Sequence, residues 1–280
     1  MKPSIIPDEL KGKPLYDFLV KNEKLIDAAK KSQIKKADAF SGPHIFIDEK
    51  GSLITKAVTD KPVIAQSATT IKIDAVINTT NYFDSHFDVH IPGIWNKSLS
   101  DNKKAGFYLL ECHEYEFESV IGEGMKGAAN KISWQDLGFQ YPGITEALVF
   151  SGNIEKARNE FMFGQYASGY VRQHSVGMRY VKLITCINDE DYPVQKENWD
   201  KYFPMIVNAD EADAEGFFWA ILEAKVVEGS AVLFGSNILT PVQNIEDVST
   251  KNEPDTSTQE EPQRDVFDIG KAIKTTIFII

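Results

Sequence analysis

The chain has 280 residues, of which 42% are hydrophobic and 11% aromatic, so it can bury a core in one large domain with appendages. Its formal net charge of -11 disfavours nucleic-acid binding through a broad basic surface. Two cysteines do not make a disulfide framework, and no apolar run is long enough to span a bilayer. The first residues lack the apolar stretch of a signal peptide, so a cytoplasmic protein is expected.

Residues 1–65 are interpreted as a partly helical N-terminal extension. Apolar residues recur at helical spacing at positions 15, 18, 19, 25, 26 and 29, which predicts an amphipathic helix that packs on the main domain or on a partner. The alternating segment 71–77 predicts a half-buried strand, and 105–124 predicts two strands around a turn near 112–117. Another strand is predicted within 129–140.

Further along the chain, the pattern predicts a helix over 144–166, a strand over 170–184, an acidic irregular segment over 187–215 and a strand over 217–234. This order predicts an α+β or barrel-like domain over residues 66–243 rather than a series of βαβ units. The composition of 244–268, rich in acidic and small polar residues, predicts a disordered tail, and the chain ends in an apolar segment. Residues 244–280 are therefore interpreted as an acidic flexible tail with an apolar end.

The stretch QHSVGMRY, residues 173–180, raises the question of a serine nucleophile, because Ser175 directly follows His174. Successive side chains of a strand point to opposite faces. His174 is therefore expected to face away from Ser175, together with Val176 and Met178, and to be a structural or surface histidine. The base that activates Ser175 must then come from elsewhere in the chain.

His113 has the best context for that base, because it stands where the apolar strand GFYLL ends. A catalytic imidazole needs an acid to hold it and to stabilise its charged form. Glu228 lies within an apolar strand, where an unpaired carboxylate is costly. Pairing with His113 would remove that cost, and a structural salt bridge is the alternative. Glu223 has the opposite parity and replaces Glu228 only if a bulge shifts the strand.

Three residues after Ser175 are candidates for holding the substrate or the oxyanion. Backbone N–H groups at Val176 and Gly177 are plausible oxyanion donors, and a glycine allows close approach of a substrate backbone. Arg179, like Arg172, could help to hold negative charge. The alternatives are a bulge at Gly177 and solvated arginines.

Taken in order, the segments YLLECH, SVIGEG, HSVGMRY and VVEGSAV resemble the prohead proteases of tailed phages, serine proteases that mature capsids and are related to herpesvirus assemblin. The resemblance covers roughly residues 70–240. It implies Ser175 as nucleophile, His113 as base and Glu228 as third member of the triad. The loop DSHFDVH, the residue Cys112 before His113 and the acidic insertion 187–215 depart from the family pattern.

The same resemblance implies an assemblin-like small β-barrel with peripheral helices and a reaction that needs no metal or other cofactor. It implies that the substrates are the phage scaffold and the major capsid protein, cut inside the immature capsid in the host cytoplasm, and that the protease also cuts itself. No nucleic-acid or membrane partner is expected, and a homo-oligomer is left open. Flexible segments near both ends are candidate sites of self-cleavage.

Two other functions stay open. Asp84, His86, Asp88 and His90 alternate along a loop, and in an extended chain all four would face one way and could bind a metal for hydrolysis; a polar surface loop is the alternative. The chain could also be an inactive capsid-assembly or scaffold-interaction protein.

Overall fold

The computed structural model describes residues 5–35 and 64–249. The predicted processing sites within 36–63 and the tail from residue 250 onwards, with its apolar end, lie outside this range. The helices are α1 (Gly12–Lys21), α2 (Glu23–Ser32), α3 (Asn96–Asp101), α4 (Glu160–Ala167), α5 (Pro193–Tyr202) and α6 (Ala209–Glu215). The strands are β1 (Thr70–Thr79), β2 (Asp88–His90), β3 (Phe107–Glu111), β4 (Val120–Ser133), β5 (Ile144–Glu155), β6 (Gln173–Ile187), β7 (Phe217–Val232) and β8 (Val242–Asp247).

The eight strands form one sheet in the order β2-β7-β3-β4-β5-β1-β8, and β6 pairs with β7. β6 runs antiparallel along the whole of β7, whose other edge is shared by β2 and β3, both parallel to it. The α+β class is therefore confirmed. The closed small barrel is wrong, because among the described strands β8 pairs only with β1 and β6 only with β7, which leaves the sheet open.

The N-terminal residues form two helices that pack on the sheet. The segment predicted as one helix is interrupted at Asn22, whose side-chain amide donates a hydrogen bond of 2.9 Å to the carbonyl of Phe18. Leu15, Leu19 and Ile26 are buried in the main core. The amphipathic segment was predicted to pack on the main domain or on a partner, and in the structure it packs on the main domain.

The predicted helix over 144–166 is wrong over its first half. Ile144–Glu155 is strand β5, paired with β1 and β4, and only Glu160–Ala167 is helical. The run from Ala147 to Phe150 is buried on both faces of the sheet, so it lacks the alternation that marks a strand in sequence.

Two further segments differ from their predictions. Residues 187–215 are not irregular, because they contain α5 and α6, which pack Trp199, Tyr202 and Ala212 against Phe218 of β7. Residues 129–133 continue β4 rather than begin a separate strand. The predicted tail also starts too early, since β8 extends to Asp247 and pairs with β1.

Candidate active site

His113 is held by a strained turn at the end of β3. Cys112 and His113 both have left-handed backbones, with φ of 50° and 61°, and the turn is closed by a 2.9 Å hydrogen bond from the N–H of Glu114 to the carbonyl of Glu111. Non-glycine residues seldom adopt this conformation, and two in succession indicate strain that the surroundings must hold. The N–H of His113 donates to Oγ of Ser230 at 3.1 Å, which fixes the turn over β7.

Glu228 of β7 contacts the imidazole of His113. Its Oε1 lies 2.7 Å from Nδ1 of His113, and its Oε2 accepts a 2.7 Å hydrogen bond from Oγ of Ser230. Both side chains of the pair are almost fully buried. Because a carboxylate only accepts hydrogen bonds, this contact assigns the proton to Nδ1 and leaves Nε2 as the basic nitrogen. The pairing predicted from the sequence is present in the structure.

Gly177 makes room for this carboxylate. A Cβ at Gly177 would meet Oε1 of Glu228 far inside contact distance. The sequence left two roles open for this glycine, close approach of a substrate backbone or a bulge. The space above it is filled by Glu228, and the strand register shifts directly after it. A side chain at Gly177 would therefore displace the carboxylate from His113.

Ser175 faces the same side of the sheet as the pair of His113 and Glu228. In the antiparallel register of β6 and β7, Ser175 lies opposite Ser230 and Gly177 lies opposite Glu228. Directly opposed residues share a face and have Cβ atoms about 5 Å apart. Ser175 is 5% exposed. The register thus places the three predicted triad members around Ser230, a residue for which the sequence predicted no role.

The bulge that was the condition for Glu223 is present, since the register shifts between Gly177 and Met178 and leaves Val227 as the extra residue. Glu223 nevertheless lies further along β7, opposite Lys182. Glu228, rather than Glu223, is the carboxylate in contact with His113.

His174 is a buried structural histidine. Its Nε2 lies 2.8 Å from Oη of Tyr166, and its Nδ1 lies 3.3 Å from the carbonyl oxygen of Thr240. Burial lowers the pKa of His174 to about 4, so the ring is neutral near pH 7. As the alternation predicted, His174 and Ser175 belong to different faces and different networks.

The other two predicted substrate residues have different environments. The side chain of Val176 packs in the main core, so only its backbone is available to a ligand. Arg179 is exposed, opposite Lys225 of β7, and has the same parity as Ser175.

The loop proposed for metal binding is neither a surface loop nor fully extended. Asp84 and Asp88 are buried, and Phe87 between them has a left-handed backbone with φ of 61°. Lys35 forms ion pairs with both carboxylates, and Nζ of Lys30 lies 2.7 Å from Oδ1 of Asp88. The lysine ammonium groups therefore occupy the position that a cation would need.

The two histidines of that loop are neutral near pH 7, and His90 contacts polar groups of the protein. Nδ1 of His90 lies 3.2 Å from the side-chain amide of Asn78, and its Nε2 lies 3.4 Å from Oη of Tyr180. Burial lowers the pKa of both His86 and His90 to about 4. Within residues 5–35 and 64–249, no group of three or more histidine, cysteine or acidic side chains is arranged to hold a metal.

The site adjoins a cleft of about 540 Å³, named here the apolar cleft. Apart from Glu228 and the polar rim formed by Glu116, Glu123 and Arg158, its walls are aromatic and aliphatic: Tyr108, Leu110, Tyr115, Phe117, Val120 and Val227.

Comparisons with protein-family models, with curated proteins and with solved structures give no match to this chain. In the part of the chain that the structure describes, no helix is both long and apolar enough to cross a membrane.

Proposed function

We propose that the protein is a serine endopeptidase with Ser175 as nucleophile, His113 as general base and Glu228 as the acid that holds His113. The observation that carries this proposal is the 2.7 Å contact between Nδ1 of the buried His113 and the carboxylate of Glu228, on the face of the sheet that bears Ser175. An imidazole held in this way has a defined tautomer and a stabilised charged form, which are the two requirements for a base that activates a hydroxyl.

The reaction then follows from these groups. Nε2 of His113 takes the proton of Ser175 as Oγ attacks the scissile carbonyl, and the imidazolium is stabilised by Glu228. The same proton passes to the leaving amine, which gives an acyl-serine, and a water activated by His113 hydrolyses the ester. General-base assistance of this kind contributes about 10²–10⁴ in rate.

The backbone N–H of Val176 is the proposed oxyanion donor. Met178 directs its N–H and its carbonyl away from β7, because both bond to Lys35, at 3.3 and 2.8 Å. Two residues earlier on the same strand, Val176 directs its N–H to the same edge, next to Ser175. Arg179, exposed on the face of Ser175, adds positive charge near the site.

The biological substrates are proposed from the resemblance to prohead proteases. On that basis the protein cuts segments of the phage scaffold and major capsid protein, and itself, inside the immature capsid. The contact between His113 and Glu228 favours the enzyme over the alternative of an inactive assembly protein, because backbone strain that holds a buried ionisable pair clusters at functional sites.

A fluorophosphonate probe tests the proposal without knowledge of the substrate. Oγ of an activated serine displaces fluoride from the phosphorus atom, and peptide mapping locates the adduct. We expect the adduct on Ser175, none in Ser175→Ala, and labelling slower by about 10² or more in His113→Gln. Labelling of another residue, or equal rates in the native protein and His113→Gln, would contradict the proposal.

A further inference from the structure

A row of side chains crosses four adjacent strands and joins the apolar cleft to the candidate nucleophile. Val120 of β4 pairs with Leu110 of β3, Leu110 pairs with Ser230 of β7, and Ser230 pairs with Ser175 of β6. Residues paired in register share a face of the sheet. Adjacent strands are about 4.8 Å apart, so Leu110 lies roughly 10 Å from Ser175 across the sheet.

A second row of side chains on this face also passes from a polar residue on β7 to an apolar wall on β3. Tyr108 precedes Leu110 by two residues on β3 and therefore shares its face, while Glu228 precedes Ser230 by two on β7. Both Tyr108 and Glu228 line the apolar cleft. Of the groups of the site, Ser175 and Glu228 are thus on β6 and β7 and His113 follows β3, while Tyr108 and Leu110 of β3 begin the apolar wall.

Aromatic rings form an exposed side of the cleft. Phe117 lies on a 3₁₀ turn just before β4 and is 84% exposed, and Tyr108 and Tyr115 are about half exposed. Exposed apolar surface gathered around a concave site, beside convergent polar groups, is typical of ligand-binding sites. The exposed ring of Phe117 has apolar area that an incoming side chain would cover.

We propose that the apolar cleft binds a large apolar side chain of the peptide substrate, at a position within about three residues of the scissile bond. An extended peptide rises about 3.3 Å per residue, so the roughly 10 Å between Leu110 and Ser175 corresponds to about three residues of the peptide. This inference rests on the proposed endopeptidase function and adds a side-chain preference to it. Phe117 is then a specificity-determining residue.

Cleavage of a proteome-derived peptide mixture, with the new termini identified by mass spectrometry, tests the preference. We expect Leu, Ile, Phe or Met to be enriched at one position within about three residues of the cut. Phe117→Ala is expected to lower kcat/KM for such peptides about tenfold, the lower end of what one apolar group contributes in a pocket. Phe161→Ala is the matched control, because Phe161 is 64% exposed and does not line the cleft.

A binding measurement separates this inference from the proposed function. The inactive Ser175→Ala protein is titrated with two labelled peptides that differ in one central residue, Phe or Ala. We expect tighter binding of the Phe peptide, and loss of that difference when Phe117→Ala is added but not when Phe161→Ala is added.

The outcomes are distinct. Cleavage that depends on Ser175 but shows no apolar preference would overturn the inference and keep the endopeptidase. Binding that depends on Phe117 without any cleavage would keep the cleft and overturn the endopeptidase. Equal binding of the two peptides by the Ser175→Ala protein would overturn the inference about the cleft.

Discussion

The two buried histidines beside the candidate nucleophile differ in their partners. His174 is adjacent to Ser175 in sequence, yet its ring contacts a tyrosine hydroxyl and a backbone carbonyl, both neutral. His113 is 62 residues away in sequence, yet it lies on the face of Ser175 and contacts the carboxylate of Glu228. Only a histidine with an anionic partner is prepared to become charged in a buried site.

The difference shows how strand geometry selects a base. Alternation along β6 excludes the sequence neighbour of Ser175, and pairing across β6, β7 and β3 brings in a distant residue. Variants of each histidine and of its partners test whether the two differ in role as well as in environment.

The largest expected effect comes from replacing the two histidines in parallel. His113→Gln should lower kcat/KM by about 10²–10⁴, because glutamine cannot accept the serine proton. His174→Gln keeps a donor and an acceptor in the buried network and should leave kcat/KM within a factor of about 3. Peptide hydrolysis on folded samples of each variant measures this, and a large loss in His174→Gln with none in His113→Gln would reverse the assignment.

Glu228→Gln tests whether catalysis needs the negative charge of Glu228, the partner of His113. Glutamine has the shape of glutamate without its charge, so the imidazolium is no longer stabilised, and kcat should fall by no more than in His113→Gln, within about 10²–10⁴. Glu223→Gln on the same strand is the control and should leave kcat unchanged. Equal losses in the two variants would show that the contact of Glu228 with His113 does not determine which carboxylate acts.

The free energy of unfolding should depend on pH through His174. Its pKa in the folded protein is about 4, below the ordinary value of 6.5, so the unfolded chain binds more protons as the pH falls. The stabilisation is present above about pH 6.5 and is lost as the pH falls towards 4. For this residue the loss between pH 7.5 and 5 is about 2 kcal/mol.

Urea unfolding of the native protein and of His174→Gln measures this contribution. The free energy of unfolding should decrease between pH 7.5 and 5 in both proteins, and the decrease should be smaller in the variant by about 2 kcal/mol. The remaining decrease comes in part from His86 and His90, which also have low pKa values in the folded protein. An identical decrease in both proteins would show that His174 does not stay neutral in the fold.

Ser230→Ala should lower catalysis less than His113→Gln and Glu228→Gln do. Ser230 is a positioning residue, since its Oγ donates to Glu228 and accepts from the N–H of His113. Its removal should lower kcat/KM about tenfold through misplacement of the pair. Ser98→Ala is the matched control, because Ser98 is also buried and its Oγ accepts a 2.9 Å hydrogen bond from the N–H of Val226 of β7.

Both serine variants should lose about 1–3 kcal/mol of stability, because each leaves a buried N–H unpaired. Only Ser230→Ala should change kcat/KM. If the two variants lost activity to the same degree, the effect of Ser230 would be on the fold and not on the site.

The sequence was sufficient for the parts of the site that depend on strand periodicity. The separation of His174 from Ser175 follows from alternation alone. The need of Glu228 for a partner follows from the cost of a carboxylate in an apolar strand. That cost left His113 and a structural salt bridge as alternatives, and the resemblance to prohead proteases implied His113.

Features that depend on distant contacts were not predictable in the same way. The left-handed turn at Cys112 lacks the Gly or Asn that marks such turns. The ion pairs of Lys30 and Lys35 with the loop at Asp88 join residues more than 50 positions apart. They replace a metal site that the alternating loop had suggested.

The most direct test of Ser175 as the nucleophile is intact-mass spectrometry over time on the native protein, Ser175→Ala and His174→Gln, each incubated alone and with a proteome-derived peptide mixture. We expect cuts by the native protein and by His174→Gln, and none by Ser175→Ala. Cuts by all three proteins, or by none, would contradict this role of Ser175.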